Sequence, residues 1–233
     1  VDLTDADLTG ADLRDVNFEN AILVRTDFTG AQMDRVVLTE AQCEGAILTK
    51  ACIVLSKCIR TDFTNANLDH ADMTSSTLLG AAFVEASMVG VTLNNVDAKD
   101  TVFTKAKMTN ARALETTYNT VDFHHAILQG ADFSLSTFNA VTFEKTQLDG
   151  VDFKSSTLAS VTFVEASLIA TNMDQVVLKD SSFAGSNMSR MHAHGCKFSN
   201  VNIHEKTQLD GADFKSSTLT SVTFVEASLI ATN

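Results

Sequence analysis

Phenylalanine recurs every twenty residues through the middle of the chain. The series runs without a break through Phe63, Phe83, Phe103, Phe123, Phe143, Phe163 and Phe183. Within each interval a shorter pattern repeats every five residues: a small residue, a polar residue, leucine or phenylalanine, and two further polar residues, as in residues 6–10. Repeats of fixed period are the signature of a solenoid, in which similar coils stack on one another. A period of five within a period of twenty predicts coils with four sides.

The third position of the five-residue unit is the predicted core. When units are counted from Val1 and one frame slip is allowed, all 15 phenylalanines and six of the seven methionines fall at position three. Position one is Ala, Val, Thr or Ser at 45 of its 47 occurrences. In a strand, residues one and three point to one face and residue two to the other. We therefore expect positions one and three to be buried and position two, often Asp or Asn, to be exposed.

The fifth position is the predicted corner of each side. All ten glycines fall at position five, and glycine adopts positive φ at no steric cost. Proline is absent, which suits strands whose N–H groups all pair with a neighbouring coil. With 233 residues the chain would form about 11 to 12 coils. At about 4.8 Å per coil, the rod would be about 55 Å long.

These repeats carry a family resemblance. Units such as Ala6-Asp7-Leu8, Ala11-Asp12-Leu13 and Ala66-Asn67-Leu68 resemble the repeats of the pentapeptide repeat family. The resemblance covers the whole chain, so it implies one all-β domain over residues 1–233, a right-handed quadrilateral β-helix. Three units depart from the pattern because alanine stands at position three, at Ala98, Ala113 and Ala193. We expect local repacking there, since alanine leaves volume unfilled.

Two features concern the end of the chain. The frame slips by one residue between Ile203 and Leu209, and we expect the extra residue near His204. Segments 144–172 and 205–233 match at 27 of 29 positions, which indicates growth by duplication. No capping helix is evident at either end, and an uncapped stack exposes unpaired backbone groups. We therefore expect either a fragment of a longer protein or end-to-end, homo-oligomeric association.

Histidine and cysteine offer few candidate sites. The run from Met191 to Cys196 reads Met-His-Ala-His-Gly-Cys, and His and Cys clusters can bind zinc. The repeat frame points His192 outward and Cys196 inward, so the ligands should not converge on a metal. His124 and His125 have no nucleophile or carboxylate at a useful spacing. The four cysteines do not make a disulfide framework, and we expect them to be reduced thiols.

No other motif predicts chemistry. Threonines recur at residues 117, 137 and 157 and at 142 and 162. These rows resemble the flat threonine arrays that order ice, but stacked hydroxyl ladders on a β-face explain them more simply. No phosphate-binding glycine loop, nucleophile elbow or metalloprotease motif is present. The sequence therefore predicts no catalytic residue, cofactor or metal site, and we expect a protein that is not an enzyme.

The composition excludes several partners. The chain has 29 acidic and 17 basic residues, a net charge of −12. Direct binding to nucleic acid or to an anionic membrane would require clustered Lys and Arg. No run of 18 apolar residues is present, so no membrane span is predicted. We expect a cytoplasmic protein, or an effector secreted into a host cytosol.

Acidic residues concentrate at one end. Residues 1–50 hold ten acids and four bases, which is half of the net charge in about a fifth of the chain. We take this end as a candidate acidic interaction surface. Its seven candidate residues are Asp2, Asp7, Asp12, Asp27, Asp34, Glu40 and Glu44.

Two functions remain open at this stage. The first is a non-enzymatic structural or protein–protein interaction module, a rigid rod or spacer such as a bacterial effector carries beside another domain. The second follows from the resemblance, since some pentapeptide repeat proteins inhibit DNA gyrase or protect it from quinolones. It implies an acidic DNA mimic that binds a type II topoisomerase.

Overall fold

The computed structural model describes residues 1–233 as a stack of twenty-residue coils. Position-two residues pair in parallel with the residue twenty further on, from Asp2 with Ile22 to Asn172 with His192. The predicted all-β, four-sided coil is confirmed. We number the sides by the first coil: side 1 is residues 1–5, side 2 is 6–10, side 3 is 11–15 and side 4 is 16–20, each with its equivalents in later coils.

Regular strands appear only on side 4 and its continuation into side 1. They form one six-stranded parallel sheet in chain order. The strands are β1 (Thr117–Asn119), β2 (Thr137–Asn139), β3 (Thr157–Ala159), β4 (Val177–Ser182), β5 (Lys197–His204) and β6 (Thr218–Val225). Elsewhere each side is too short for more than an isolated bridge between two corners.

The backbone of each unit bonds mainly to the neighbouring coils. Phe63 N donates to Ala82 O at 2.7 Å, and Asn65 N donates to Val84 O at 2.9 Å. The corner is closed by a bond within the chain, in which Ala66 N donates to Phe63 O at 3.0 Å. Because buried backbone groups must be paired, this repeated scheme holds the coils in register whatever side chains they carry.

Every corner lies in the left-handed region. The ten glycines and 37 other residues have φ between +50° and +70°. Outside glycine and asparagine this conformation costs about 1 kcal/mol per residue. Leu55 and Leu135 adopt it at corners where more than half of the side chain is exposed. The coil-to-coil hydrogen bonds therefore impose the corner conformation, and glycine is not required for it.

One apolar core runs along the axis of the stack. It is a continuous cluster of 65 buried residues, drawn mainly from positions one and three as predicted. The phenylalanines of the twenty-residue series stack ring on ring from Phe63 to Phe183, with centroids 4.7–5.1 Å apart and planes within 10° of parallel. The ring spacing equals the spacing between coils, so each added coil extends the same stack.

The core is repacked around Tyr118, one coil above Ala98 on the same side. The Tyr118 ring is fully buried, stacks on Phe138 at 4.7 Å and meets the edge of Phe133 at 5.7 Å. Its hydroxyl has no hydrogen-bond partner, and burial raises the pKa of Tyr118 above its ordinary value.

Tyr118→Phe is expected to leave the free energy of unfolding unchanged or to raise it by about 1 kcal/mol. The variant keeps the stacked ring and removes a buried polar group that lacks a partner. Urea denaturation followed by circular dichroism tests this. Tyr118→Leu is the control, because it removes the ring and is expected to destabilise. A loss of more than about 1 kcal/mol in Tyr118→Phe would show that the hydroxyl is satisfied.

A ladder of buried hydroxyl groups runs along the corner between sides 3 and 4. Ser136 Oγ accepts a hydrogen bond from Thr116 N at 3.1 Å and donates one to Ala113 O at 2.9 Å. In the next coil, Ser156 Oγ accepts a hydrogen bond from Ser136 N and donates one to Phe133 O. The amides of Thr116 and Ser136 do not make the corner-closing backbone bond seen at Ala66, whereas Ser156 N does make it, to Phe153 O at 3.0 Å. At Thr116 and Ser136 the hydroxyl group one coil later therefore takes the place of the backbone acceptor.

The extra residue lies at the corner formed by Glu205 and Lys206. Ser182 pairs with Asn202 twenty residues on, whereas His204 pairs with Val225 twenty-one residues on. Glu205 and Lys206 both have positive φ, 58° and 66°. The extra residue therefore follows His204 by one to two residues, inside the interval from Ile203 to Leu209. The extra residue falls at the start of the duplicated segment 205–233.

Candidate functional site

Aspartate and asparagine at position two are part of the fold itself. Asp62 Oδ1 accepts a hydrogen bond from Thr64 N at 2.9 Å, and Asp132 Oδ1 accepts one from Ser134 N at 3.0 Å. Asn67 Oδ1 does the same for Asp69 N. The side chain satisfies an amide two residues on, as in an Asx turn. Much of the acidity of the chain therefore has a structural origin.

The seven candidate acidic residues do not form one patch. Asp2 and Glu44 lie on side 1, Asp7 and Asp27 on side 2, Asp12 and Asp34 on side 3, and Glu40 on side 4. Only Asp7 and Asp27 are paired directly in register. The structure thus distributes these acids as a collar around the first coils.

Arginines pair with several acids of this collar. Arg14 Nη2 lies 2.6 Å from Asp12 Oδ2, and Arg60 pairs with Glu40 one coil below. The Arg14 guanidinium lowers the pKa of Asp12 to about 2. Asp34 accepts a hydrogen bond from the Cys52 thiol at 3.0 Å, and burial together with this carboxylate raises the pKa of Cys52 to about 11. These residues are less available to a partner than Asp2, Asp7 and Asp27.

Two further ion pairs join the first coil to the second. Arg25 Nε lies 2.7 Å from Asp5 Oδ1, and Arg35 Nε lies 2.6 Å from Asp15 Oδ1. The arginine hydrogen bonds hold the pKa of both carboxyl groups below the ordinary value. Because the folded-state pKa is lowered, the stabilisation by these pairs is present above the unfolded-state pKa, about 3.9, and is lost as pH falls below it.

We therefore expect Arg25→Gln/Arg35→Gln to be less stable than the wild type at pH 5–7. The difference should shrink as the pH falls below about 4, where the carboxylates become protonated. Urea midpoints measured from pH 7 to pH 2 give the comparison. Arg112→Gln is the control, since Arg112 makes no ion pair in the structure. A difference that persists unchanged at pH 2 would contradict the assignment.

Charge is sorted between sides 1 and 4 along the whole rod. Side 1 carries ten acids and four bases, with Lys206 of the corner at Glu205 included, whereas side 4 carries five of each. The side 1 acids are Asp2, Asp5, Glu44, Asp62, Glu85, Asp122, Glu144, Glu165, Glu205 and Glu226. Counting charge along the chain hides this asymmetry, but counting it by column with a period of twenty reveals it.

The histidine–cysteine run is dispersed as predicted. Cys196 is buried and its Sγ donates to Met173 O at 2.8 Å. His194 lies between two carboxylates on the neighbouring coils: its Nε2 is 2.9 Å from Asp213 Oδ2 and its Nδ1 is 3.5 Å from Asp174 Oδ1. His194 holds the pKa of Asp213 below its ordinary value. Sequence reasoning missed this contact because Asp213 lies beyond the frame slip.

No cluster of three or more His, Cys, Asp or Glu side chains is arranged to hold a metal ion. No helix is present that could cross a membrane. One shallow depression of about 330 Å³ lies on the corner between sides 4 and 1. Its lining residues are Thr120, Val121, Asp122, Ala140, Val141, Thr142, Ser160 and Thr162. The sequence indicated the threonine rows beside it but not the depression.

Solved structures of several repeat proteins are similar to this chain, and no match was found among curated proteins. HetL, a pentapeptide repeat protein involved in heterocyst differentiation regulation in the cyanobacterium Nostoc sp., is 20% identical over 99% of this chain and 87% of its own, with a TM-score of 0.32. QnrB1, a plasmid-mediated fluoroquinolone resistance protein, is 16% identical over 83% of this chain and 91% of its own, with a TM-score of 0.37. The A-module of the Azotobacter vinelandii mannuronan C-5 epimerase AlgE4 is 7% identical over 96% of this chain and 85% of its own, with a TM-score of 0.35.

Family models match most of the sequence. The model for pentapeptide repeats in eight copies matches residues 2–39, 56–95 and 163–200. A second model, for a pentapeptide repeat region, matches residues 76–153. Together with the five-residue units and the four-sided coils, these matches show that the chain belongs to the pentapeptide repeat family.

Proposed function

We propose that the chain is a non-enzymatic interaction rod that presents its acidic side 1 to a basic protein partner. The observation that carries this proposal is the sorting of charge, ten acids against four bases on side 1 and an even balance on side 4. Complementary charge selects partners and accelerates their association. A basic surface that lies along the rod would therefore dock on side 1 in preference to side 4.

The rigidity of the stack supports the same proposal. The stacked phenylalanines and the coil-to-coil ladder fix the columns of surface side chains about 4.8 Å apart. Because the surface is already ordered, binding costs little conformational entropy on the side of the rod. More of the contact energy therefore appears as affinity. The same regularity lets the rod hold a second domain at a set distance.

The test is capture of partners from an extract of the source cells on the immobilised rod. Three acids of side 1 that make no ion pair are neutralised in one variant, Glu44→Gln/Asp62→Asn/Glu226→Gln, because Glu85, Glu144 and Glu165 are paired with lysines. Three unpaired acids of side 4 are neutralised in the matched control, Glu19→Gln/Asp97→Asn/Asp100→Asn, which avoids Glu40 and Asp180 because both are ion-paired. We expect the side 1 variant to lose a retained basic protein that the control keeps. Equal loss in both variants, or no retained protein at any ionic strength, would overturn the proposal.

A DNA mimic that binds a type II topoisomerase is the second candidate. The acids of the first fifty residues surround the rod on all four sides, as phosphates surround a duplex. Asp7 and Asp27 stack in register on side 2, and neither makes an ion pair. This collar is the observation that favours the mimic.

The assay for this candidate is DNA gyrase supercoiling with the purified rod titrated in at moderate salt. Asp2→Asn/Asp7→Asn/Asp27→Asn removes three charges but keeps the turn bonds, because Asn67 makes the same bond. The matched control is Asp149→Asn/Asp152→Asn/Asp174→Asn at the other half of the rod. A mimic would inhibit, and only the first variant would lose inhibition. No inhibition at high micromolar protein would eliminate the mimic and leave the interaction rod.

A further inference from the structure

An uncharged patch spans three successive coils on side 4. It consists of Thr117, Asn119, Thr120, Thr137, Asn139, Thr157 and Ser160, which we call the hydroxyl patch. Charged residues bound it on both neighbouring coils, Asp97 and Lys99 before it and Lys179 and Asp180 after it. In a chain with a net charge of −12, this patch is therefore a local exception.

The hydrogen-bonding groups of the hydroxyl patch are not used within the protein. None of its seven side chains makes an intramolecular hydrogen bond, and all but Asn119, which is half-buried, are exposed. Threonines 117, 137 and 157 are paired in direct register, as are Asn119 and Asn139. By contrast, the carboxylate of Asp62, at position two of its unit, already accepts a hydrogen bond from Thr64 N. The patch thus offers rows of free hydroxyl and amide groups about 4.8 Å apart.

The shallow depression of about 330 Å³ adjoins the patch and runs along the same three coils. It forms because the corner residues are the small Thr120, Ala140 and Ser160, where other coils carry Glu40 and Arg60. Its lining combines hydroxyl groups with the apolar surface of Ala140 and the edges of the nearly buried Val121 and Val141. It also contains one carboxylate, that of Asp122, which accepts hydrogen bonds from Thr104 Oγ1 and His124 N. A ligand that alternates hydroxyl edges with apolar C–H faces would match this lining.

We propose that the hydroxyl patch and its depression bind a neutral polysaccharide, an extended β-1,4-linked chain lying parallel to the rod axis. Two coil spacings, about 9.6 Å, are close to the length over which such a chain repeats after two sugar rings. Successive sugars would therefore meet equivalent side chains. Hydroxyl and amide groups supply both donors and acceptors for sugar hydroxyls. Because neither the patch nor the lining has a basic residue and the lining contains Asp122, a neutral chain is favoured over an anionic one. The site borders side 1 and shares Asp122 with it, but the proposal does not depend on a basic partner that binds side 1.

The test is affinity electrophoresis in native gels that contain hydroxyethyl cellulose. Carboxymethyl cellulose, which has the same backbone with added charge, and dextran, an α-linked glucan, are the comparison polymers. We expect hydroxyethyl cellulose to retard the wild type more than either. Thr117→Lys/Thr137→Lys/Thr157→Lys should weaken the retardation about tenfold or more. The matched control, Thr49→Lys/Thr92→Lys/Thr109→Lys, places the same charges on sides 2 and 3 and should be retarded like the wild type.

Thermal unfolding of both triple variants shows whether either has lost its fold. If the patch variant does not fold, the single variant Thr137→Lys replaces it. No retardation of the wild type, or equal retardation of both variants, would overturn the proposal. Inhibition of ice recrystallisation by a protein that no glucan retards would also overturn it, because the threonine rows would then bind ice instead of sugar.

Discussion

Phe123→Ala is expected to lower the free energy of unfolding by about 3–5 kcal/mol. Phe123 is fully buried and lies between Phe103 and Phe143, with centroids 4.9 and 5.0 Å away and planes within 10° of parallel. It also meets Tyr118 and Phe133 edge to face. Truncation would leave a cavity that the stack cannot close, because the coil spacing is fixed by backbone hydrogen bonds on all four sides. Urea denaturation followed by circular dichroism measures the loss.

Phe123→Leu is the control for this prediction. The adjacent column carries leucine at Leu128, which is also fully buried, so the site should accept Leu at a cost of about 1–2 kcal/mol. An alanine variant as stable as the wild type would contradict the inward assignment of the phenylalanine column. Equal losses in both variants would show that the ring stack, and not the filled volume, stabilises the core.

Ser136→Ala is expected to cost about 2–4 kcal/mol, although it removes a single oxygen atom. The variant leaves Thr116 N and Ala113 O without partners in the buried corner, because neither makes another backbone bond. Each buried polar group left unsatisfied costs about 1–3 kcal/mol. Urea denaturation measures the loss, and hydrogen exchange at Thr116 N reports on the freed amide directly.

Ser136→Thr is the matched variant, because Thr116 performs the same role one coil earlier, where its Oγ1 donates to Leu93 O at 2.6 Å. It should retain most of the stability of the wild type and the slow exchange of Thr116 N. If Ser136→Ala were as stable as Ser136→Thr, a water molecule or a shifted backbone would be satisfying both groups, and the hydroxyl ladder would not be a source of stability.

The fold could be predicted in detail because each position of the unit has one physical task. Phe123 and its series had to point inward, and the period of twenty put them in one column. The packing of Tyr118 could not be predicted from the repeat, because the position of its ring above Ala98 depends on the sizes of neighbouring side chains in other coils. The bond scheme around Ser136 was also beyond sequence reasoning, because a small residue at position one predicts burial but not which amide lacks a partner.

The candidate surface was less predictable than the fold. Asp7 and Asp27 were identified and do stack in register, but Asp12 and Glu40 are engaged by arginines whose positions follow from coil geometry. The acidic character of side 1 emerges only when residues such as Glu85 are counted by side. The sequence shows directly the net charge of a continuous segment. A partner that lies along the rod contacts one side of it, whose charge comes from residues twenty positions apart.

The single extra residue at the Glu205–Lys206 corner bears on how such a chain lengthens. A corner absorbs the insertion and the next coil pairs normally, with His204 opposite Val225 and Gln208 opposite Ser228. Recombination between similar units therefore need not cut at matching positions to yield a folded product. A crossover that leaves one extra residue at a corner is therefore compatible with this fold, as the copy at 205–233 shows.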